Sequence, residues 1–113
     1  MKRTPLRPMS NKRRKQLIER AQVRQEVLER DGGCVFWAQA WSTDQWLPGD
    51  LVGAPVRCQG PMDVHEVVRR SQNSEAWLTP ALCVVLCRAH HSFVTEHPEA
   101  AHRLGLVKWS WEA

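Results

Sequence analysis

The sequence predicts a small α+β protein with a single core, and three observations support this fold class. A chain of 113 residues, 42% of them hydrophobic, is long enough for one domain and too short for a two-domain enzyme. Residues 10–30 contain neither glycine nor proline and repeat apolar residues at helical spacing. Residues 62–68 and 81–86 are short and rich in β-branched and other apolar residues, as is typical of strands. We expect a basic arm and helix over residues 1–30, followed by one domain over residues 31–113.

The first predicted element is an amphipathic helix from Ser10 to Arg30. Ser10 is a favourable N-cap because its hydroxyl can accept a hydrogen bond from the backbone of the first turn. The sequence Asp31-Gly32-Gly33 ends the helix, since glycine readily takes the left-handed conformation that closes one. The predicted apolar stripe consists of Leu17, Ile18, Ala21 and Leu28, widened by Val23 and Val27.

Residues 35–57 show no sustained period of 2 or 3.6, so we expect a long irregular loop there. The loop carries Trp37, Trp41 and Trp46, which either pack against a small core, the more common role, or stack on nucleic-acid bases. The remaining predicted elements are a strand over 62–68, a polar turn over 69–74, a strand-like stretch over 81–86, helices over 92–96 and 98–105, and a last strand over 106–111.

Positive charge is concentrated at the N-terminal end. Residues 1–30 carry ten of the sixteen lysines and arginines and three acidic residues, a net charge of +7, whereas the rest of the chain has a net charge of −3. A basic segment gains binding free energy from counterion release when it meets a polyphosphate, so nucleic acid is the predicted partner. The alternative is a solvated tail that only aids solubility. The residues expected to contact DNA are Lys2, Arg3, Arg7, Lys12, Arg13, Arg14 and Lys15.

Hydropathy and cysteine content narrow the class of protein further. The apolar run Ala81–Leu86 is far shorter than the roughly 20 residues that cross a bilayer, and the arginine-rich N-terminus lacks the apolar stretch of a secretion signal. We therefore expect a soluble, cytoplasmic protein with no membrane partner. In a reducing compartment, four cysteines favour metal ligation or free thiols over two disulfides.

Cys34, Cys58, Cys87 and His90 are the predicted ligands of a structural zinc ion. Cys87 and His90 form a Cys-x-x-His pair, and two further cysteines complete the four sulfur and nitrogen donors of a tetrahedral site. A domain this small gains much of its stability from such a metal. Two alternatives stay open: Cys83 replaces His90 as the fourth donor, or all four cysteines are ordinary core thiols.

Four segments together resemble the HNH endonucleases, in particular short phage-type members. They are the basic arm with a helix ending in ERDGGCVF, the strand DVHEVVRRSQ, the segment LCRAHHSFVTEHPEA and the ending HRLGL. The resemblance implies the ββα-metal fold (His-Me finger), in which two antiparallel strands and a helix hold one divalent cation, often beside a structural zinc. It also implies a metal-dependent endonuclease that nicks or cleaves DNA by phosphodiester hydrolysis.

The resemblance assigns roles to individual residues. His65 and Glu66 stand where the family has a His-His or Asp-His pair, whose first member usually binds the cation while the second is the general base. His91 stands at the last motif histidine, which usually binds the cation. Arg70 matches an arginine that follows the first strand and is expected to hold the scissile phosphate. Asp63 is a further candidate ligand, because it lies on the same strand face as His65.

The sequence departs from the family pattern at two positions. Leu82 occupies the middle motif position, usually asparagine, and leucine neither ligates a metal nor orients a loop by hydrogen bonds. Glu66 occupies the usual base position, so either His65 is the base with Asp63 as a ligand, or Glu66 is the base beside a metal-bound His65. Successive strand residues point to opposite faces, so the second arrangement requires the strand to end or bulge at this point.

These observations give one leading hypothesis and two rivals. The first is an HNH nuclease that uses Mg²⁺, Mn²⁺ or Ni²⁺ and binds DNA through its arm. For this hypothesis the resemblance implies a phage context in a bacterial host, with a terminase or other packaging proteins as partners. The second is a zinc-stabilised DNA-binding module in which Leu82 has abolished hydrolysis. The third is an adaptor whose exposed tryptophans dock a packaging enzyme.

Overall fold

The computed structural model of the protein describes residues 8–69, 72–109 and 112. Within these residues, one two-stranded antiparallel sheet lies between helices. The helices are α1 (Asn11–Asp31), α2 (Phe36–Trp41), α3 (Arg88–Glu96) and α4 (Pro98–Arg103), and the strands are β1 (Met62–Glu66) and β2 (Cys83–Cys87). Short 3₁₀ turns occupy Pro48–Leu51, Ala76–Leu78 and Pro80–Leu82. The predicted α+β class is confirmed.

The helix α1 has nearly the predicted bounds. The side chain of Ser10 accepts a hydrogen bond from the backbone N–H of Arg13 at 3.1 Å, which satisfies one of the donors that a helix N-terminus leaves unpaired. At the other end, Gly32 has a φ of 71°, and its N–H donates to the Leu28 carbonyl at 2.9 Å. A residue with a side chain would be strained in that conformation, so the glycine fixes the end of the helix.

Only part of the predicted stripe on α1 enters the core, namely Val23, Val27 and the half-buried Leu28. Val23 and Val27 are buried and pack against valines of both strands. By contrast, Leu17 is 39% exposed and Ile18 is 63% exposed. Ile18 precedes Val27 by nine residues, about two and a half turns at 3.6 residues per turn, so the two side chains lie on opposite sides of the helix. The sheet therefore packs on the valine side, and Leu17 and Ile18 face solvent.

The two strands pair in an uninterrupted antiparallel register, from Met62 opposite Cys87 to Glu66 opposite Cys83. Because side chains alternate along each strand, the sheet has two different faces. One face packs on α1, and the other packs on the larger hydrophobic cluster, which contains Leu86 and residues of α2, α3 and α4.

Both strands differ by one or two residues from the predicted segments. β1 ends at Glu66 rather than at residue 68. β2 begins at Cys83 because Pro80–Leu82 forms a 3₁₀ turn, and it ends at Cys87. The N–H of Val67 still donates to the Leu82 carbonyl at 2.8 Å, which closes the sheet at that end.

Residues 35–57 are not wholly irregular, so that prediction is wrong in part. They contain α2 and the Pro48–Leu51 turn. Phe36 and Ala40 lie one helical turn apart, are 0% and 1% exposed, and belong to the larger hydrophobic cluster. A helix of six residues is too short for its period to stand out in the sequence, and tertiary burial of these two side chains stabilises it.

The three tryptophans of this segment differ in environment. Trp37 and Trp46 pack against the larger cluster, and their indole N–H groups donate to the carbonyls of Val56 at 3.2 Å and Ala40 at 2.8 Å. Trp41 is 75% exposed. Packing is therefore the role of two of the three rings.

The C-terminal segment closes α4 instead of adding a strand. α3 begins at Arg88, four residues earlier than predicted, and α4 ends at Arg103. The predicted strand is wrong for residues 106–109, and residues 110 and 111 lie outside the described residues. Leu106 is buried, and its N–H donates to the Ala101 carbonyl at 2.9 Å, so backbone that a strand would pair is used to end the helix. Of the helices described, none combines the length and apolarity needed to cross a bilayer.

Candidate metal centre

Four side chains from three separate parts of the chain meet beside the end of β2. Cys34, Cys58, Cys87 and His90 each offer one ligating atom, and these atoms all lie within 4.8 Å of one another. From His90 Nδ1 the distances are 3.0 Å to the sulfur of Cys87, 3.4 Å to that of Cys34 and 3.8 Å to that of Cys58. Neighbouring ligands of a tetrahedral zinc ion lie about 3.6–3.8 Å apart, given its usual bond lengths. The predicted set of four residues is confirmed as a cluster that fits one metal ion.

Secondary structure places Cys34 and Cys87. Cys34 follows the end of α1, and the next residue, Val35, donates its N–H to the Val85 carbonyl at 2.9 Å, which ties this segment to β2. Cys87 is both the last residue of β2 and the N-cap of α3, where its sulfur accepts the N–H of His90 at 3.4 Å. The Cys-x-x-His spacing therefore sets two ligands at the junction between a strand and a helix.

Cys58 lies in a turn that rests on the start of α3. The carbonyl of the neighbouring Gln59 accepts the N–H of Ala89 at 3.1 Å. Gly60 allows this approach, because it has a φ of 81° and a Cβ at its position would lie 2.8 Å from the Cβ of Arg88. Real Cβ atoms do not come so close, so a glycine is needed for the turn to bring Cys58 to the cluster.

Burial, ring stacking and a hydrogen bond hold the imidazole of His90 in one orientation. It is fully buried, its ring stacks on Phe36 with centroids 4.3 Å apart and planes at 7°, and its Nε2–H donates to the Pro55 carbonyl at 2.7 Å. In a neutral imidazole this bond places the lone pair on Nδ1, the atom that faces the three sulfurs. An outer hydrogen bond of this kind orients a metal-binding histidine and makes it a better donor.

The sulfur atoms influence one another's protonation. Burial raises the pKa of Cys58 to about 12, and the neighbouring sulfurs of Cys34 and Cys87 contribute to that rise. Burial also opposes ionisation of Cys87, but hydrogen bonds from the backbone N–H groups of His90 and Gln59 and from the thiols of Cys58 and Cys34 together leave the pKa of Cys87 below its ordinary value. When ionised, three sulfurs this close repel one another, and a bound metal ion would offset that repulsion.

The fourth cysteine is separate from the cluster. Cys83 is fully buried, and its S–H donates to the Ala76 carbonyl at 3.4 Å. Burial raises the pKa of this thiol. The alternative in which Cys83 replaces His90 is therefore wrong, and Cys83 behaves as a small core residue.

A second group of polar side chains lies where β1 packs against α3. The rings of His65 and His91 have centroids 5.2 Å apart, with planes at 67°. The Nε2–H of His65 donates to the Leu106 carbonyl at 2.6 Å, and the Nδ1–H of His91 donates to Asp63 Oδ2 at 3.1 Å. In each neutral ring the bonded nitrogen carries the hydrogen, so the other nitrogen holds a lone pair.

Both oxygens of Asp63 accept hydrogen bonds from Arg88, with Nε–H to Oδ2 at 2.7 Å and Nη2–H to Oδ1 at 3.0 Å. Arg88, with help from His91, lowers the pKa of Asp63 to about 2. Asp63, His65 and His91 are thus brought together. Across residues 8–69 and 72–109, however, the group of Cys34, Cys58, Cys87 and His90 is the one set of three or more such side chains arranged to hold a metal ion.

Three further residues named from the sequence lie elsewhere. β1 carries no bulge, so Glu66 points to the face of the sheet opposite His65, as its partner Cys83 does. β1 ends at Glu66, however, so the assignment of Glu66 as a base beside His65 stays a prediction. Leu82 is half-buried at the end of a 3₁₀ turn. Arg70 lies outside the described residues.

The basic residues of α1 divide into two sets. Exposed side chains at the start of the helix are Lys12, Arg13, Arg14 and Lys15. Further along, Arg20, Arg24 and Arg30 donate to backbone carbonyls of Trp77, Met62 and Cys83 at 2.7, 3.1 and 2.6 Å, so they join the helix to the Ala76–Leu78 turn and to both strands. Lys2, Arg3 and Arg7 lie outside the described residues.

Sequence reasoning missed Arg88 and the outer partners of His90. Arg88 precedes His91 by three residues on one helix, and that spacing was a usable signal that the two side chains share a face. Pro55 and Phe36 gave no such signal, because only the folded chain brings them to the imidazole.

Fold and site together define a small α+β protein with a Cys₃His cluster that fits a metal ion. Comparisons of the chain with protein-family models, with curated proteins and with solved structures found no match.

Proposed function

We propose that the protein is a metal-dependent DNA endonuclease of the HNH type, with a structural zinc ion. The observation that carries the proposal is the pair of His65 and His91. These residues come from a strand and a helix, their ring centroids lie 5.2 Å apart, and each ring has one nitrogen bonded within the protein and one free to act. Two oriented imidazoles side by side suit the hydrolysis of a phosphodiester.

The order of the elements supports a ββα-metal fold within this proposal. β1, β2 and α3 follow one another in the chain, and α3 packs against both strands. His65 lies on β1 and His91 in the first turn of α3, so the strand and the helix bring one imidazole each to the same place.

His65 is the proposed general base. Its side chain is 9% exposed, and burial lowers its pKa below the ordinary value of 6.5, with the neighbouring His91 acting in the same direction. The ring is therefore neutral near pH 7. Because Nε2–H donates to Leu106, the Nδ1 lone pair is the atom that accepts a proton from water.

His91 is the proposed ligand of the catalytic cation, which would be Mg²⁺, Mn²⁺ or Ni²⁺. Its Nδ1 is bonded to Asp63, so Nε2 is the donor that it offers. Because few protein side chains converge here, a cation bound to His91 would keep coordination positions for water and for a phosphate oxygen. A cation bound there would stabilise charge on the phosphate and on the departing oxygen.

Zinc is the proposed occupant of the Cys₃His cluster. Three sulfurs and one imidazole nitrogen are the soft donors that zinc prefers, and four protein ligands leave no open position for substrate. The metal would then have a structural role, since it joins the end of α1, the turn at Cys58 and the junction of β2 with α3.

DNA is the proposed substrate, and the exposed start of α1 is the proposed contact with its phosphates. Lys12, Arg13, Arg14 and Lys15 are all exposed there. Binding through these residues would position the duplex with little sequence readout. Association with a terminase or another packaging protein is a further expectation from the resemblance.

A DNA-binding module without hydrolysis is the second candidate. Leu82 favours it, because an aliphatic side chain supplies neither a ligand nor a hydrogen bond at the middle motif position. This candidate keeps the zinc ion and the basic helix and omits the reaction.

A nicking assay on supercoiled plasmid separates the two candidates. Zinc-loaded protein is incubated with Mg²⁺, Mn²⁺ or Ni²⁺, and the nuclease predicts cleavage that requires the added cation and that His65→Ala reduces by at least about 100-fold. His97→Gln is the matched control, because this histidine caps the C-terminal end of α3, where it bonds to and stacks on Phe93. Salt-sensitive binding to DNA without cleavage under any of the three cations would overturn the nuclease and favour the module.

A further inference from the structure

Asp63, Arg88 and His91 form one hydrogen-bonded unit beside the proposed site. Asp63 accepts two bonds from Arg88, at 2.7 and 3.0 Å, and one from His91 at 3.1 Å. We propose that Arg88 binds a phosphate of the DNA and that Asp63 is a positioning residue that orients Arg88 and His91 together. This inference rests on the proposed function, and it names a phosphate contact that the resemblance did not assign.

Arg88 has donors left for a ligand. A guanidinium carries five N–H groups, and Asp63 takes two of them along one edge. The other edge presents parallel N–H groups from Nη1 and Nη2, the geometry that binds two oxygens of one phosphate. The side chain of Arg88 is 60% exposed, whereas that of Asp63 is 18% exposed. The carboxylate therefore holds the guanidinium from the protein side and leaves it accessible from the solvent side.

The backbone and the Cβ of Arg88 are fixed as well as its guanidinium group. Arg88 is the first residue of α3, and its N–H donates to the Pro61 carbonyl at 2.9 Å. Gly60 lies directly against its Cβ. Arg88 and His91 are three residues apart on one helix, so their side chains share a face. A phosphate held by Arg88 would then lie close to the imidazole of His91.

Asp63 is better suited to positioning than to binding the cation. Each of its oxygens already accepts a hydrogen bond from Arg88, so a cation on Asp63 would have to displace the guanidinium. The hydrogen bond from His91 Nδ1–H to Asp63 instead leaves Nε2 as the nitrogen that can bind the cation. A carboxylate behind a metal-binding imidazole is a common outer partner. The earlier expectation of Asp63 as a ligand is replaced here by this role.

The salt dependence of DNA binding tests the phosphate contact without requiring cleavage. Affinity of the zinc-loaded protein for a fluorescent duplex is measured by anisotropy at several salt concentrations. Arg88→Gln should weaken binding about 5- to 20-fold and reduce the slope of log K against log salt by about 0.9, the value for one phosphate contact. Arg88→Lys should keep the slope, because the charge remains. An unchanged slope in Arg88→Gln would overturn the phosphate contact.

Arg103→Gln is the matched control. Arg103 forms the same kind of fork with Asp50, at 2.7 and 2.5 Å, but that pair joins α4 to the Pro48–Leu51 turn. The substitution should leave the salt slope unchanged, and its zinc content should equal that of the wild type. If Arg103→Gln lowered the slope as much as Arg88→Gln does, the effect would be structural and the assignment of Arg88 would be wrong.

Two further measurements test the role of Asp63. Imidazole ¹⁵N spectra of the zinc-loaded protein should show His91 with its hydrogen on Nδ1 in the wild type and in Arg88→Gln, and a shift toward Nε2–H in Asp63→Ala. Titration with Mn²⁺ should give the same affinity, within about twofold, for the wild type and Arg88→Gln. Tighter Mn²⁺ binding in Arg88→Gln would show that the guanidinium competes for Asp63 as a ligand, and would overturn the positioning role.

These outcomes separate the inference from the proposed function. A wild type that cuts DNA while Arg88→Gln keeps the full salt slope would contradict only the inference. A wild type that neither cuts nor binds DNA would contradict both.

Discussion

The imidazole of His90 and the carbonyl of Pro55 are joined by a hydrogen bond of 2.7 Å, which fixes the ring from the side opposite the cysteine sulfurs. Pro55 belongs to the segment between α2 and the turn at Cys58. The cluster is therefore supported by a segment that supplies no ligand, and metal binding at the cluster would depend on the order of that segment.

Metal removal should unfold the protein. We expect one zinc ion per chain by elemental analysis, and loss of both the zinc and cooperative thermal unfolding in Cys58→Ser, because a structural zinc ion contributes about 10–16 kcal/mol in small domains. Cys83→Ala is the control, since Cys83 is buried outside the cluster. It should keep one zinc and cost about 1–2 kcal/mol of unfolding free energy. Full stability of Cys58→Ser without zinc would show that the metal is not structural.

The two sides of α1 should respond differently to truncation. Val27→Ala should lower the free energy of unfolding by about 1–3 kcal/mol, because Val27 is fully buried against the sheet. Ile18→Ala should change it by less than about 0.5 kcal/mol, since Ile18 is 63% exposed. Denaturant titration of the zinc-loaded proteins measures both. Equal losses would mean that the predicted Leu17–Ile18 side is covered in solution.

Acid should destabilise the wild type relative to His65→Gln. Burial lowers the pKa of His65 in the folded state below 6.5, so on acidification the unfolded chain binds a proton at this residue before the folded chain does. The stability that the neutral ring contributes is present above pH 6.5 and is lost as the pH falls below that value. The difference in unfolding free energy between wild type and His65→Gln should therefore shrink between about pH 8 and about pH 5.

Zinc ligands also take up protons in acid, so the zinc content of both proteins is measured at each pH. A difference that stays constant with pH while both proteins keep their zinc would contradict a buried, neutral His65.

Two glycines with nearly the same positive φ provide a matched pair. Gly60 and Gly53 have φ values of 81° and 83°, but only Gly60 would place a Cβ against another residue, 2.8 Å from Arg88. Gly53→Ala should cost about 1–2 kcal/mol from the left-handed backbone alone. Gly60→Ala should cost clearly more and should also weaken zinc binding, because its turn carries Cys58. Competition with a zinc chelator and thermal unfolding measure the two effects, and equal results for both variants would contradict the close approach.

Much of the fold and the cysteine cluster could be predicted because local chemistry determines them. Ser10 and Gly32 mark the ends of α1 through capping bonds that depend on nearby residues. The Cys87-x-x-His90 spacing is typical of zinc ligands, so the convergence of this pair with two further cysteines could be expected from residue type.

The features that could not be predicted depend on tertiary contacts. The valine side of α1 and the leucine–isoleucine side both fit a helical period, and only the position of the sheet decides between them. The hydrogen bonds of Arg20 and Arg30 to carbonyls far away in the sequence could not be predicted, because the sequence indicates only the charge of these residues. The Asp63–Arg88 pair depends on the register of two strands, and no local pattern reports it.

Two adjacent residues in the first turn of α3 belong to two different groups of side chains. His90 faces the cysteines of the Cys₃His cluster, and His91 faces Asp63. Consecutive helical residues differ by about 100° around the axis, so a one-residue insertion or deletion between Cys87 and His90 would turn both imidazoles away at once. An insertion or deletion between Cys87 and His90 would therefore disrupt the Cys₃His cluster and the His91–Asp63 pair together. Substitutions on the solvent-exposed side of α3 are not subject to this double constraint.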